Sequence, residues 1–156
     1  MASLPTKGNP RTVDKTDMTP SIPVVLVVDD DESFRASIRA LLQQTRHSVA
    51  EAASVEEGEA ILGQRRVDVL IADIVMPGKL GFEIMSIGRK KYPALKILAV
   101  FTAGADVGHL RMARLCGADA TIAKPFAAEH LQRSLRFLLR DRPASFVEAE
   151  EEPALP

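Results

Sequence analysis

The sequence predicts a three-layer α/β sandwich built on a parallel five-stranded sheet. Short apolar runs alternate five times with stretches whose apolar residues recur at helical spacing. The runs at 24–28 and 96–101 are apolar toward both faces, as strands covered by helices on both sides must be. Parallel neighbours also need a crossover connection, and the intervening helical patterns supply one each time.

In chain order, VVLVV at 24–28 is the first strand, and Phe34, Ile38, Leu41 and Leu42 follow at helical spacing. HSVAEAA at 47–53 is a weaker strand. Ser54-Val55-Glu56-Glu57 is a capping box. In it the serine accepts from a backbone N–H and Glu57 reaches back, opening a helix that carries Ile61 and Leu62. VDVLIA at 67–72 is the third strand, and a helix over about 81–91 leads to KILAVF at 96–101. A helix bearing Leu110, Ala113 and Leu115 ends at Gly117, a natural C-cap, before the short strand ATIA at 120–123. Leu131, Leu135 and Leu138 mark the last helix.

With 156 residues, 46% hydrophobic and 26% charged, the chain has material for one well-buried core, expected over 22–141. Residues 1–21 are polar and contain Pro5, Gly8, Pro10 and Pro20, while 142–156 hold an acidic run at Glu148, Glu150, Glu151 and Glu152 between prolines. Neither segment has a periodic apolar face to offset the entropy of ordering, so a disordered arm and a solvated acidic tail are expected. The net charge of −1 and the scattered basic residues give no electrostatic case for nucleic acid, so no nucleic-acid partner is expected. The N-terminus lacks an apolar signal region, and no stretch approaches the ~18 apolar residues of a membrane span. A cytoplasmic protein without membrane insertion is therefore expected. The lone cysteine, Cys116, cannot form an internal disulfide, and its neighbours suit a reduced, packed thiol.

Open parallel sheets bind ligands at the carboxyl ends of their strands, where the strand order reverses. The residues there are Asp29 and Asp30 after the first strand, Asp73 after the third, Thr102 after the fourth and Lys124 after the fifth. Two carboxylates ~4 Å apart repel by about 4 kcal/mol at an effective dielectric near 20, so three such acids call for a cation. Mg²⁺ takes one or two carboxylates, keeps several waters and completes its octahedron with phosphate oxygens. Asp73 can then act as a nucleophile that becomes an aspartyl phosphate. The metal, the Lys124 ammonium and the Thr102 hydroxyl would compensate the charge of the transferring phosphoryl group.

These residues resemble the receiver domains of two-component response regulators. VLVVDDDESFR is similar to the family's first-strand acidic pair, with Asp29 and Asp30 in the paired positions. LIADIVMPGKLGFEIM is similar to the segment around its phosphoacceptor, with Asp73 followed by Met76, Pro77 and Gly81. AVFTA carries the Thr102 counterpart, and IAKPF carries Lys124 followed by Pro125, a bond that is cis in the family. Five motifs in order across roughly 23–140 make the resemblance specific. It implies a flavodoxin-like, doubly wound sheet with strand order 2-1-3-4-5. It also implies Mg²⁺ or Mn²⁺ held by the side chains of Asp30 and Asp73 and the backbone carbonyl of Val75, with Asp29 acting mostly through water. The activity implied is acceptance of a phosphoryl group on Asp73 from a histidine kinase or histidine phosphotransfer protein, followed by slow self-hydrolysis, with no other enzymatic reaction. Output would pass through the fourth helix, fifth strand and fifth helix to a downstream protein target.

The sequence departs from the family pattern at Leu80, where aspartate is frequent, and at Thr121, where many members carry a switching aromatic. No output domain follows the last helix, so a single-domain regulator without direct transcriptional control is expected. Val75 and Gly104, two beyond Asp73 and Thr102, offer no polar group to orient an attacking water, which predicts slow loss of the phosphoryl group. Two alternatives remain. A haloacid-dehalogenase-type phosphatase would use Asp29-Asp30-Asp31 as its Asp-x-Asp motif, but it needs a second acidic pair, and the next aspartate after Lys124 is Asp141. A receiver-like scaffold acting without phosphorylation would not need Asp73, Thr102 and Lys124 intact. Asp31 and Glu32 read as favourable charges at a helix N-terminus, His47, His109 and His130 as surface or packing residues, and Met76, Met85 and Met112 as fillers.

Overall fold

The computed structural model describes residues 21–74, 81–102, 104 and 106–140. The expectations for the two terminal segments, for Val75, Met76, Pro77 and Leu80, and for Asp141 lie outside them. The strands are β1 (Val24–Val28), β2 (Ser48–Ala52), β3 (Val69–Asp73), β4 (Lys96–Thr102) and β5 (Ala120–Lys124). They alternate with α1 (Glu32–Gln43), α2 (Val55–Gln64), α3 (Gly81–Lys91), α4 (Val107–Leu115) and α5 (Ala128–Leu139). Every strand pair is parallel and the order is β2-β1-β3-β4-β5, the flavodoxin-like topology.

Period-two alternation in the central strands builds a core on each side of the sheet. Leu26, Val28, Leu70, Ala72, Ile97 and Ala99 face α2 and α3, meeting Val55, Leu62, Ile84 and Met85. Val25, Val27, Val69, Ile71, Leu98, Val100 and Ile122 face α1 and α5, meeting Ile38, Leu42, Leu131, Leu135 and Leu138. Helix α4 is held least deeply: Ala113 is its buried residue, whereas Leu115, part of the apolar pattern that marks this helix, is 75% exposed. Cys116 is a half-buried free thiol packed against the α2–α3 side.

Local chemistry sets the helix starts. Asp31 Oδ1 accepts from the backbone N–H groups of Ser33 and Phe34 at 2.9 and 3.3 Å, capping α1. Ser54 Oγ caps α2 through Glu57 N, and Glu57 Oε2 reaches back to Ala53 N, one residue before the serine. Gly81 opens α3 against the end of β3, where a Cβ would lie 2.0 Å from the Asp73 carbonyl oxygen, so no other residue fits without moving that backbone.

Register decides which strand ends meet. Val28 pairs with Ala72, which makes Asp29 and Asp73 the next neighbours across β1 and β3, at the point where the strand order reverses. Thr102 pairs with Lys124 across β4 and β5, likewise at the carboxyl ends of the strands.

Candidate functional site

Asp29 and Asp73 are the two buried charged residues of the described core, 1% and 5% exposed. The Lys124 ammonium bridges them, with Nζ 3.1 Å from Asp29 Oδ2 and 2.8 Å from Asp73 Oδ2. Those two oxygens therefore lie within about 6 Å of each other, a separation at which like charges repel by about 3 kcal/mol at an effective dielectric near 20. Lys124 stands where that repulsion is relieved. Partial burial lowers its pKa, but the hydrogen bonds and charges of Asp73 and Asp29 outweigh that effect and hold it above the usual lysine value.

The acidic run after β1 divides its labour. Asp29 turns inward, and its Oδ1 also accepts from Asp31 N at 2.9 Å. Its carbonyl oxygen accepts from Arg35 Nη1 at 2.6 Å, and Arg35 in turn pairs with Glu51 on β2. Asp30 is exposed. Asp31 caps α1 and Glu32 lies in its first turn, the role expected of both. Thr102 is exposed at the end of β4 beside Lys124. Asp29, Asp73 and Lys124 are thus brought together, Thr102 flanks them, and Asp30 stands on the rim. Thr121 lies inside β5 opposite Ala99, and the Lys124–Pro125 peptide bond is cis. His47 Nδ1 bonds Thr45 Oγ1 and His109 Nδ1 bonds Asp106, the cap of α4, so both histidines are engaged elsewhere.

Sequence reasoning missed Phe34. Its ring face lies under Lys124, with Nζ 3.7 Å from the centroid, and Phe126 forms a T-shaped pair with it at 6.1 Å between centroids and 86° between planes. Helical spacing placed Phe34 on the buried stripe of α1, but no local signal announces a partner so far along the chain.

Among the described residues no three His, Cys, Asp or Glu side chains converge as a metal cluster. The donors nevertheless suit Mg²⁺, a hard ion that takes one or two carboxylates and fills its remaining positions with water and phosphate oxygens. Asp73 is one such carboxylate, and Asp30, exposed beside the buried Asp29, can supply the second.

A sequence model described as the response regulator receiver domain matches residues 25–136. The chain belongs to this family. It is 38% identical over 132 residues to the response regulator MprA of a Mycobacterium species, covering 84% of this chain and 56% of that protein. It is 32% identical over 119 residues to the transcriptional regulatory protein AfsQ1 of Streptomyces coelicolor, covering 76% and 52%. The chemotaxis protein CheY4 of Vibrio cholerae superposes with a TM-score of 0.72 at 31% identity, over 76% of this chain and all of that one. A CheY-like receiver domain protein of Methanospirillum hungatei gives 0.73 at 28% identity. Membership in the receiver-domain family replaces the haloacid-dehalogenase alternative.

The receiver spans about half the length of the curated relatives it matches. One of these is by name a transcriptional regulator, which overturns the expectation that nucleic acid is excluded as a partner. That expectation rested on the net charge of these 156 residues, and charge on a receiver carries no information about a module joined to one. Among the described residues no helix is long and apolar enough to cross a membrane.

Proposed function

We propose that this chain is a phosphoacceptor receiver in which Asp73 takes a phosphoryl group from a histidine kinase or histidine phosphotransfer protein. The observation that carries the proposal is the Lys124 ammonium bonded to both Asp29 and Asp73 at the strand-order reversal. An Asp73 carboxylate oxygen forms the new P–O bond as the donor's bond to phosphorus breaks and its electron pair leaves with the donor. Lys124 keeps its proton and transfers a hydrogen bond from carboxylate to phosphoryl oxygen. Thr102, beside Lys124, supplies a hydroxyl to the same group. Asp30, Asp73 and the Val75 carbonyl, with Asp29 through water, would hold Mg²⁺ or Mn²⁺, which supplies charge compensation when bound.

The receiver is assigned to 22–141, between an arm at 1–21 and an acidic tail at 142–156. Its chemistry is confined to gaining and losing its own phosphoryl group, in the cytoplasm with the kinase that charges it. A downstream protein reads the phosphorylated state. The test is incubation with acetyl phosphate and Mg²⁺ followed by intact-mass measurement. The parent should gain one phosphoryl group and Asp73→Asn none, and persistent labelling of that variant overturns the assignment.

A further inference from the structure

We infer that Phe34 is a positioning residue of the phosphoacceptor site, whose ring face holds the Lys124 ammonium between Asp29 and Asp73. This rests on the phosphoacceptor reading above. A lysine side chain has four rotatable carbons and substantial rotamer entropy, so two hydrogen bonds at its tip leave the stem free to swing. The negative face of an aromatic ring attracts a cation within about 6 Å of its centroid, and here Nζ is 3.7 Å away. The ring is itself immobilised on two sides. Asp31 fixes its backbone by capping Phe34 N, and Phe126, two residues after Lys124, packs against the ring in a T-shaped pair.

The placement has a chemical consequence. When Asp73 becomes an acyl phosphate, its bonded oxygen no longer offers Lys124 a carboxylate charge, and the hydrogen bond there must be exchanged. The ring is unchanged by that reaction and keeps the ammonium at the site throughout. Phe34 thereby pre-orients the group that meets the incoming phosphoryl oxygens, and pre-orientation lowers the barrier to transfer without touching the reacting atoms.

The experiment compares the parent with Phe34→Leu, which keeps apolar bulk without a ring, with Phe34→Tyr, which keeps the ring, and with a fluorinated phenylalanine at position 34, which keeps shape but not the negative face. Two readouts are taken: the rate of labelling by acetyl phosphate with Mg²⁺, and the NMR shift of the Lys124 ε-methylene protons without donor or metal. Labelling should slow about threefold to tenfold in the leucine and fluorinated variants and be retained in tyrosine, the range a cation–π contact of ordinary strength implies. The ε-methylene protons should lie upfield in the parent and in Phe34→Tyr and return to the ordinary lysine position in Phe34→Leu.

Parent-like labelling in the fluorinated variant, or an unshifted Lys124 in the parent, overturns the role of the ring while leaving Asp73 as acceptor. Equal slowing in tyrosine and leucine reduces Phe34 to packing and likewise overturns it. Absence of labelling in the parent defeats the phosphoacceptor reading and, with it, the inference.

Discussion

Replacing Lys124 with methionine keeps most of the stem and removes the charge that separates Asp29 from Asp73. The two carboxylates are 1% and 7% exposed as side chains, so little water can take over from the ammonium. Lying within about 6 Å of each other, they repel by about 3 kcal/mol or more at an effective dielectric near 20. Removing one partner of a buried pair typically costs about 3–5 kcal/mol. The Lys124 side chain itself is 21% exposed, and the screening this permits brings the expected loss at neutral pH to about 2–3 kcal/mol. For a domain of this size that is a fall in Tm of about 10 °C.

Urea unfolding at pH 7, with matched thermal scans, measures this loss. Adding Asp73→Asn to Lys124→Met removes one of the opposed charges and should restore about 2 kcal/mol, a non-additive recovery that a double-mutant cycle detects. Because the folded pKa of Lys124 lies above its unfolded value, its contribution is present in full below the unfolded pKa and is lost as pH rises through the folded one. The gap between parent and Lys124→Met should therefore hold steady from about pH 7 to about pH 10 and narrow only above that. A single variant as stable as the parent, or a double variant showing the simple sum of two losses, refutes the electrostatic account.

Gly81→Ala should destabilise the fold by about 1–3 kcal/mol and slow labelling of Asp73, because the new Cβ must displace the Asp73 backbone; urea unfolding and the acetyl phosphate assay check the two effects. Asp30→Ala should weaken Mg²⁺ binding by about tenfold or more, as read by titration calorimetry. The phosphoryl group should decay faster when a polar side chain is placed beside it. Gly104 has φ +106° and open space where a Cβ would sit, so Gly104→Asn, the residue that best tolerates the left-handed region, is the informative partner to Val75→Asn in a dephosphorylation time course.

The layered fold was legible because central parallel strands such as VVLVV at 24–28 must be apolar on both faces, and that pattern has few competing explanations. The meeting of Asp29 with Asp73 was legible for the same reason: once the strands are placed, strand-end residues are ordered by topology alone. Side-chain direction was not. Asp29 turns into the core and Asp30 out of it, a difference set by the pleat and by the hydrogen bond from Asp31 N, and adjacent identical residues carry no sign of it. Leu115 belonged to an apolar pattern whose packing partner the sequence could not specify, and the structure leaves it exposed. Phe34 on Lys124 is a contact between distant segments, invisible to any reading based on spacing. The nucleic-acid expectation failed because charge was counted over a stretch about half as long as the relatives it matches.

The central claim is that the phosphoryl group resides on the Asp73 carboxylate. An acyl phosphate is reduced by borohydride to an alcohol, which turns the acceptor aspartate into homoserine, and peptide mass spectrometry locates that residue in the chain. After incubation with acetyl phosphate and Mg²⁺, homoserine should be found at position 73 and at no other aspartate. Homoserine at position 29 or 30, or at none, contradicts the account.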